Sequence, residues 1–544
     1  MSLFDLKTSE AELSPSNNGQ AKMDWVQIPP DRDITDFNFH NGAIHIRWEV
    51  SGPQWWVPGR SYVRIRFSLK DHQANAAALT NASGIVPNML LASNLWQSME
   101  FRINGKVISR CSGNVAQIEA LDTRLHKSRG WMDSVGKTTA FTGLGGRGHL
   151  IQYMHESETV SGEMLGPHDF LRGFEEGADT AQVTAATSTV TLADANADAN
   201  NPLRIVGIAV GDTVIINNVV YTVTTINSPL IFKVAPQPGA DVGVAAAVLS
   251  NMTIYKGSQI LSSGVTNYEL CWQPSLSIFK VGHALPSGKY ELVFNPYTNG
   301  QYQKRCIESI RTDRPAKTNA AAVAAGGFEF LVKDFYFYCA QVEGPRVENA
   351  TYLLDLDEME CEPQQFTGAA NTLTQEHFNV SPSSYALTIA FQHKDAETST
   401  LYSATRFRLD DHLEKSLIRM YINYAGTNKP QPDAEPSWNT NANLENYMIQ
   451  RYFETQVNTG GYFDAGGTES FYEWCARGPY YHFLWPKDAT DRSSRVNVYF
   501  QFSKAIQNAA GDNIGQIILF HHYKRVARVR IEDGRVIDIQ VEDV

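Results

Sequence analysis

The segment GWMDSVGKTTAF, residues 130–141, has the residue types of a phosphate-binding loop. Such a loop follows G-x-x-x-x-G-K-[ST], because backbone N–H groups surround the phosphates and the lysine reaches the terminal one. Gly136, Lys137 and Thr138 match the second half, but Trp131 occupies the position of the first glycine. A helical pattern precedes this loop, whereas a phosphate-binding loop follows a strand. We therefore predict a glycine-containing surface loop, and no nucleotide or other cofactor.

Carboxylate and imidazole pairs are the next candidates, as metal ligands. Asp355 and Asp357, in the acidic segment DLDEMECE, would share one face of a strand and could hold Ca²⁺ with help from other loops. A solvated strand face or a subunit edge is the simpler interpretation. His521 and His522 are neighbours, so on a strand they would point to opposite faces and could not share an ion without a bulge. We assign no metal site to either pair.

Other polar and aromatic stretches allow two interpretations each. The basic strand KRVARVR, residues 524–530, could face nucleic acid or a partner protein, or it could be a surface strand balanced by the acidic tail VEDV. Trp55 and Trp56 in GPQWWVPGR could form a sugar-binding platform, but aromatic core residues beside a turn are the more common arrangement. Neither G-x-S-x-G nor H-E-x-x-H occurs. We therefore assign no catalytic residue.

Composition limits the class of protein. The 544 residues carry a net charge of −12, with 43% hydrophobic and 11% aromatic residues, which suits a β-rich globular chain and not one whose main surface grips nucleic acid. The cysteines form no C-x-x-C pair, so we expect free, mostly buried thiols in a reducing compartment; they stand at positions 111, 271, 306, 339, 361 and 475. No secretory signal and no run of about 18 apolar residues is visible, so we predict no membrane span.

Alternation of apolar and polar residues at a period of two dominates the chain, as in SYVRIRFSL and AIHIRWEV. Half-polar strands of this kind belong to antiparallel sandwiches. Three dipeptides between such runs tolerate the positive φ that type I′ hairpin turns need. These are Asn41-Gly42, Asn104-Gly105 and Asp533-Gly534.

Two helices interrupt the strands. Apolar residues at helical spacing predict an amphipathic helix over residues 114–126, with Asn114 or Ser112 as its N-cap. A second helix is predicted in NLENYMIQRYFETQV, where one face carries Leu444, Tyr447, Met448 and Tyr452. Each helix follows strands and precedes a glycine-rich loop and further strands. The order of features therefore occurs twice, with a break around residues 344–350.

The segment from about residue 178 to 249 differs from its surroundings, because it is rich in Ala, Thr and Val and poor in charge. Its apolar runs STVTL, DTVIINNVVYTVTTIN and LIFKV predict short strands, with Asn217-Asn218 at a turn. Low charge is not typical of a solvated linker. We predict a small β domain inserted in a loop, with a modest core of its own.

Several stretches together resemble the double jelly-roll major capsid proteins of polinton-like viruses and virophages. They are SYVRIRFSL, NLWQSMEFRINGKVIS with the helix that follows it, PSLSIFKVGHALPSGKYELVFNP and GQIILFHHYKRVARVRIEDGRVIDI. The resemblance covers residues 24 to 540 except for the insert. It implies an all-β fold of two tandem eight-stranded antiparallel jelly rolls, with short helices in the loops and three copies in a pseudo-hexagonal capsomer.

The predicted domains follow from this resemblance and from the composition. They are an N-terminal arm over 1–23, a first jelly roll over 24–177 and 250–344, the insert over 178–249, and a second jelly roll with a C-terminal hairpin over 345–544. The arm is not basic, whereas capsids that package nucleic acid electrostatically need Lys and Arg to neutralise phosphates. This fits a shell that other machinery fills.

The leading functional hypothesis is the major capsid protein of a double-stranded DNA virus, located in the virion. The predicted partners are further copies of the chain, penton and minor capsid proteins and, through the insert, a host surface; specific nucleic-acid binding is not predicted. A multi-domain β-sandwich adhesin or carbohydrate-binding fibre is the alternative. A glycoside hydrolase comes third, because it needs two carboxylates about 5–10 Å apart in a groove and no pair is evident.

Overall fold

The structure is a computed structural model of the whole chain. It describes residues 23–35, 38–71, 85–128, 130–131, 134–139, 151–152, 179–194, 213–216, 219–228, 231–235, 252–255, 267–282, 284–286, 288–309, 328–344, 348–381, 383–398, 402–409, 413–414, 416–424, 426–429, 444–459, 469, 474, 477–484, 494–508 and 510–543.

Strands of the first half come in two groups, one before and one after a set of inserted strands. The first group is β1 (Met23–Ile28), β2 (Ile44–Val50), β3 (Gln54–Trp56), β4 (Tyr62–Asp71), β5 (Ile85–Pro87), β6 (Trp96–Ile103), β7 (Lys106–Cys111) and β8 (Ile151–Gln152). The inserted strands are β9 (Asp179–Thr184), β10 (Thr189–Asp194), β11 (Thr213–Ile216), β12 (Val219–Ser228), β13 (Ile231–Ala235) and β14 (Met252–Tyr255). The second group is β15 (Asn267–Trp272), β16 (Gly288–Pro296), β17 (Ile307–Ser309) and β18 (Phe328–Glu343).

The strand order of the first half defines a jelly roll. One sheet runs β1-β18-β4-β15, with β8 at its far edge, and the other runs β2-β16-β6-β7. When these eight main strands are lettered B to I in chain order, the sheets are B-I-D-G and C-H-E-F. This interleaving of chain-distant strands is the double Greek key of a jelly roll. Strands β5 and β17 form a separate pair.

The second half repeats that order. Its strands are β19 (Ala350–Gln365), β20 (Thr374–Asn379), β21 (Ser384–His393), β22 (Leu417–Tyr424), β23 (Thr427–Lys429), β24 (Tyr480–Leu484), β25 (Arg495–Phe502), β26 (Gly515–Glu532) and β27 (Arg535–Asp543). The sheets run β19-β26-β21-β24 and β20-β25-β22-β23, again B-I-D-G and C-H-E-F, and β27 pairs with the end of β26. The predicted fold class, two tandem antiparallel jelly rolls, is therefore confirmed.

The inserted strands form a six-stranded sheet of their own, ordered β14-β11-β12-β13-β10-β9. Strands β11 and β12 pair from Ile216 opposite Val219, so they flank the predicted turn at residues 217–218, which lie outside the described part of the chain. Strand β14 (Met252–Tyr255) pairs with β11, so the inserted sheet includes residues beyond 249. In chain order, the sheet lies in the long connection between strands F (β7) and G (β15) of the first roll.

Within the described residues, three α-helices accompany the sheets: α1 (Val115–His126), α2 (Asn299–Cys306) and α3 (Leu444–Thr459). Helices α1 and α3 were both expected from apolar spacing, and each connects strand F to strand G of its roll. Asn114 is the N-cap of α1, but its φ is 51° and its side chain makes no capping hydrogen bond. Its amide instead donates to the carbonyl of Cys361 at 3.1 Å. The expected amphipathic pattern is wrong for α1, because every residue from Val115 to Leu125 is buried.

Local patterns predicted several of the strands and two of the three turns. Buried and exposed residues alternate along β2 and β25 as expected. Asn104 and Gly105, at φ 49° and 82°, and Asp533 and Gly534, at φ 51° and 73°, join paired strands. The hairpin at Asn41-Gly42 is wrong, because β1 pairs with β18 and not with β2.

Candidate functional site: the polar interface between the two rolls

The segment that matches part of a phosphate-binding loop forms a short 3₁₀ helix, Val135–Thr139, which follows a helix rather than a strand. Thr138 Oγ1 donates to the carbonyl of Val135 at 2.7 Å, and Thr139 Oγ1 donates to that of Gly136 at 2.8 Å. A side chain at Gly136 would meet the Trp131 ring at 2.7 Å. The hydroxyls of this loop are therefore engaged by its own backbone.

The candidate metal ligands lie apart from one another. Asp355 and Asp357 share the exposed face of β19, and Asp357 lies 3.9 Å from Lys524. His521 Nε2 lies 3.2 Å from Glu360, whereas His522 Nε2 lies 2.8 Å from Thr388, so the two rings face different neighbours as expected. Among the described residues, no group of three or more His, Cys, Asp and Glu side chains is placed to hold a metal ion.

The remaining candidates have ordinary structural surroundings. Arg525 of the basic strand pairs with Asp543 at 3.1 Å, which supports the acidic tail as its partner. Trp56 is fully buried, and its ring centroid lies 5.1 Å from that of Trp48 and 5.2 Å from those of Phe101 and Tyr290. Trp55 is also buried, so the interpretation of this pair as core residues is confirmed. Burial raises the pKa of the Cys111 and Cys339 thiols to about 12, which keeps both thiols protonated.

The densest polar site of the described structure is the contact between the two rolls, and it was not predicted. Helix α1, from the first roll, provides much of it. Gln117 Nε2 donates to Glu397 Oε1 at 2.7 Å, and Arg124 reaches Glu469. Glu397 and Glu469 both belong to the second half of the chain. Helix α1 is buried on its polar positions because it lies against both rolls.

Arg124 is the centre of an ion cluster without solvent exposure. Its Nε lies 3.0 Å from both carboxylate oxygens of Glu469, and Arg477 Nη1 donates to the same carboxylate at 2.7 Å. The Arg124 guanidinium also lies over the rings of Phe407 and Tyr480, at 5.4 and 4.6 Å from their centroids. Buried ion pairs hold a fixed geometry, because removing one partner leaves an uncompensated charge.

A second cluster lies one turn earlier on α1. Glu119 accepts hydrogen bonds from Trp272 Nε1 at 3.2 Å and from the Ser275 N–H at 3.0 Å. Burial nonetheless raises the pKa of Glu119 to about 7. Asp122 is different: burial would raise its pKa, but Lys280 and His126 outweigh burial and lower it. Two carboxyl groups on one helix therefore differ in charge near neutral pH.

Across this interface, β19 and the segment 402–409 contribute buried polar groups from the second roll. Glu358 Oε1 accepts from Ser277 of the first roll at 2.7 Å, and burial raises the pKa of Glu358. Asn88 of the first roll accepts from Thr405 at 3.3 Å and also bonds Ser403. The hairpin turn at residues 104–105 adds a further contact, since the Asn104 amide donates to the carbonyl of Val536 at 2.8 Å.

A buried trio of residues lies within the second roll on the side nearest α1. Thr388 Oγ1 is 2.7 Å from His482 Nδ1 and 2.8 Å from His522 Nε2, and the ring centroids of the two histidines are 5.2 Å apart. Burial lowers the pKa of His482 to about 3 and that of His522 well below its ordinary value. Both rings are therefore neutral near pH 7.

Sequence reasoning missed this site for an identifiable reason. The polar residues of α1 occupy positions that an amphipathic helix would expose to solvent, so the sequence of α1 does not indicate burial on that side. Their partners lie up to 350 residues away, so no local pattern connects them. The polar residues of α1 meet these partners only in the folded chain, where both rolls lie against the helix.

The tandem B-I-D-G and C-H-E-F sheets place the chain in the double jelly-roll fold class. No family model matches the sequence, and no curated protein matches it. None of the helices in the described ranges is long and apolar enough to cross a membrane.

Solved structures with a similar fold come from viruses. A chain of the Sputnik virophage, determined by cryo-EM, superimposes with a TM-score of 0.49 at 10% identity, covering 96% of this chain and 88% of that one. The mavirus major capsid protein gives 0.47 at 11% identity, covering 97% and 93%. The faustovirus major capsid protein gives 0.43 at 9% identity, covering 93% and 90%. The fold assignment itself rests on the strand order of the two rolls.

Proposed function

We propose that this chain is a major capsid protein of a double-stranded DNA virus, located in the virion, and that three copies form a pseudo-hexagonal capsomer of an icosahedral shell. The observation that carries the proposal is the presence of two complete jelly rolls in one chain, joined by a buried polar interface. Each chain then supplies two equivalent wedges of a six-sided block. Because fold alone does not fix function, the proposal needs a direct test.

The role is structural in this proposal rather than catalytic. Of the described residues, those lining the groove of about 330 Å³ between α3 and β24 include a single carboxylate, Glu454, which pairs with Arg451 at 2.6 Å. A glycoside hydrolase needs two carboxylates across its groove. The proposed partners are further copies of the chain, with penton and minor capsid proteins at the vertices and beneath the shell.

Assembly state tests the proposal. Light scattering of the purified chain is expected to give three times the 60.6 kDa chain mass at micromolar concentration, because obligate interfaces bury about 2,000 Å² or more. Negative-stain images are expected to show six-sided particles. A stable monomer that binds glycans would instead favour a carbohydrate-binding fibre and would refute the capsid role.

The inserted sheet, β9 to β14, is proposed to project from the outer surface of the shell as a turret. It interrupts the F–G connection, and long insertions are tolerated in loops at the end of a barrel, away from packed flanks. A low content of charge suits contact with neighbouring turrets or with a host surface.

A further inference from the structure

The trio His482–Thr388–His522 has a hydrogen-bond geometry that suits neutral rings. A threonine hydroxyl has one proton, so it can donate to one imidazole nitrogen while it accepts an N–H from the other. Both contacts, at 2.7 and 2.8 Å, are satisfied when each ring carries one proton. With a second proton on each ring, both would donate to Thr388 Oγ1 and its own proton would lose its acceptor.

Charges around the trio add to this effect. His126 on α1 lowers the pKa of both rings and Lys280 lowers that of His522, whereas Asp122 on α1 raises it. Asp122 is the anion among these, and it is already bonded to Lys280 and to His126, whose Nδ1 lies 2.8 Å away. A charged His522 would therefore enter surroundings that already hold at least one cation.

Charged and aromatic side chains also lie on the other sides of the trio. His482 lines the groove between α3 and β24, where Lys429, Arg451 and Glu454 are the charged lining residues. Tyr385 on β21 lies 6.2 Å from the His522 ring, between centroids. Because His482 lines the groove, water has a short route to a ring that is otherwise buried.

The trio is also next to the interface of the two rolls. His482 is two residues from Tyr480, over whose ring the Arg124 guanidinium lies at 4.6 Å. His522 is two residues from Phe520, whose ring lies 5.6 Å from that of Phe407, the other aromatic partner of Arg124. A shift of β24 or β26 would therefore move the surface on which α1 packs.

We infer that the His482–Thr388–His522 trio is an acid-sensitive latch, in which protonation of the rings loosens the contact of α1 with β24 and β26 of the second roll. The inference concerns the chain itself and holds whatever the chain assembles into. Its sign follows from linkage. Stability from a histidine that is buried neutral is present above its ordinary pKa of 6.5 and is lost as the pH falls below it.

Hydrogen exchange of the whole chain, read by mass spectrometry and corrected for the pH dependence of intrinsic exchange, tests the latch. In the Glu119→Gln background, which removes the opposite titration of Glu119 on α1, the opening constant of α1 and β24 is expected to rise between pH 7.5 and pH 5, by roughly 30-fold if one ring responds and roughly 1,000-fold if both do. The double variant His482→Gln and His522→Gln is expected to lose this response. His521→Gln is the matched control, because His521 contacts Glu360 and lies outside the trio.

Three results, each measured in the Glu119→Gln background, would overturn the inference: equal protection at both pH values, an undiminished acid response when His482→Gln and His522→Gln are added, or loss of the response when His521→Gln is added. If the double variant does not fold, ¹⁵N NMR of the histidine-labelled wild type decides. The imidazoles of His482 and His522 are expected to remain neutral at pH 5 for as long as the chain is folded. Titration of every ring near pH 6.5 would refute the latch.

Discussion

Arg124 carries its charge where water does not reach it, and it pairs there with Glu469, whose carboxylate also binds Arg477. Arg124→Gln is expected to destabilise the chain by about 3–5 kcal/mol, because it leaves a buried carboxylate with half of its partners. Urea unfolding followed by tryptophan fluorescence measures this loss. Arg530→Gln is the control, since Arg530 pairs with Glu532 on the surface, where ion pairs contribute less than about 1 kcal/mol. Equal effects of both variants would contradict a stabilising role for the cluster.

Glu119 makes stability depend on pH in the direction opposite to the histidines. Its pKa is raised from 4.5 to about 7, so its contribution is complete below pH 4.5 and is lost as the pH rises to 7. Glu119→Gln removes this titration, and its stability relative to the wild type is expected to improve by about 3 kcal/mol between pH 4.5 and pH 8.

The pH dependence, and not the absolute stability, is the quantity to measure for Glu119. Trp272 and Ser275 donate to different oxygens of Glu119, and glutamine places an NH2 group at one of these two positions, so one hydrogen bond is lost and the new side chain does not titrate. Urea midpoints at four pH values separate the two effects. Glu348→Gln, at an exposed position, is the control. Parallel curves for Glu119→Gln and the wild type would show that Glu119 does not titrate as described.

At the scale of elements, the free edge of β24 is covered by side chains. The carbonyls of Tyr480, His482 and Leu484 accept hydrogen bonds from Trp474 at 3.1 Å, from Asn458 at 2.7 Å and from Lys429 at 2.7 Å. An edge strand with unpaired carbonyls is a template for another chain. These caps therefore block strand addition at the edge of the second roll.

Removal of the caps tests their role. The double variant Lys429→Ala and Asn458→Ala frees two carbonyls of β24 and is expected to aggregate faster on mild heating, as static light scattering would detect. Each lost hydrogen bond also costs about 1 kcal/mol. Gln450→Ala on the same helix as Asn458 is the control, because the Gln450 amide donates to Glu454 of that helix, at 3.1 Å, rather than to a carbonyl of β24. Unchanged aggregation of the double variant would mean that other features protect this edge.

Elements were predictable from the sequence where the determining interactions are local. The alternation in β2 and β25 and the positive φ at Asn104-Gly105 depend on neighbouring residues alone. The hairpin expected at Asn41-Gly42 failed because the partner of β1 is β18, at the other end of the roll. The polar interface could not be predicted for the same reason, since a helix sequence does not reveal that a second roll will cover its outer face.

For the whole molecule, the inserted sheet is expected to be separable from the rolls. Replacing residues 179–255 with a short Gly-Ser linker removes β14 together with β11, its pairing partner, so no strand is left without its sheet. A folded assembly of unchanged copy number that lacks an outer protrusion in projection images is the expected result. Replacing residues 179–249 alone is the informative comparison, because it removes β11 and leaves β14 without its pairing partner. Loss of density on the inner face would refute the turret.

The distance along the chain between the partners of the interface also has a consequence for synthesis. Arg124 and Glu469 are 345 residues apart, so at about 5–20 residues per second they leave the ribosome roughly 17–70 s apart. Throughout that interval α1 has no second roll to cover it. Its uncovered surface carries Gln117 and Arg124, which water can hydrate until Glu397 and Glu469 are synthesised. Because this interface is polar and charged, the side of α1 that the second roll later covers can be solvated by water until the second roll has been synthesised.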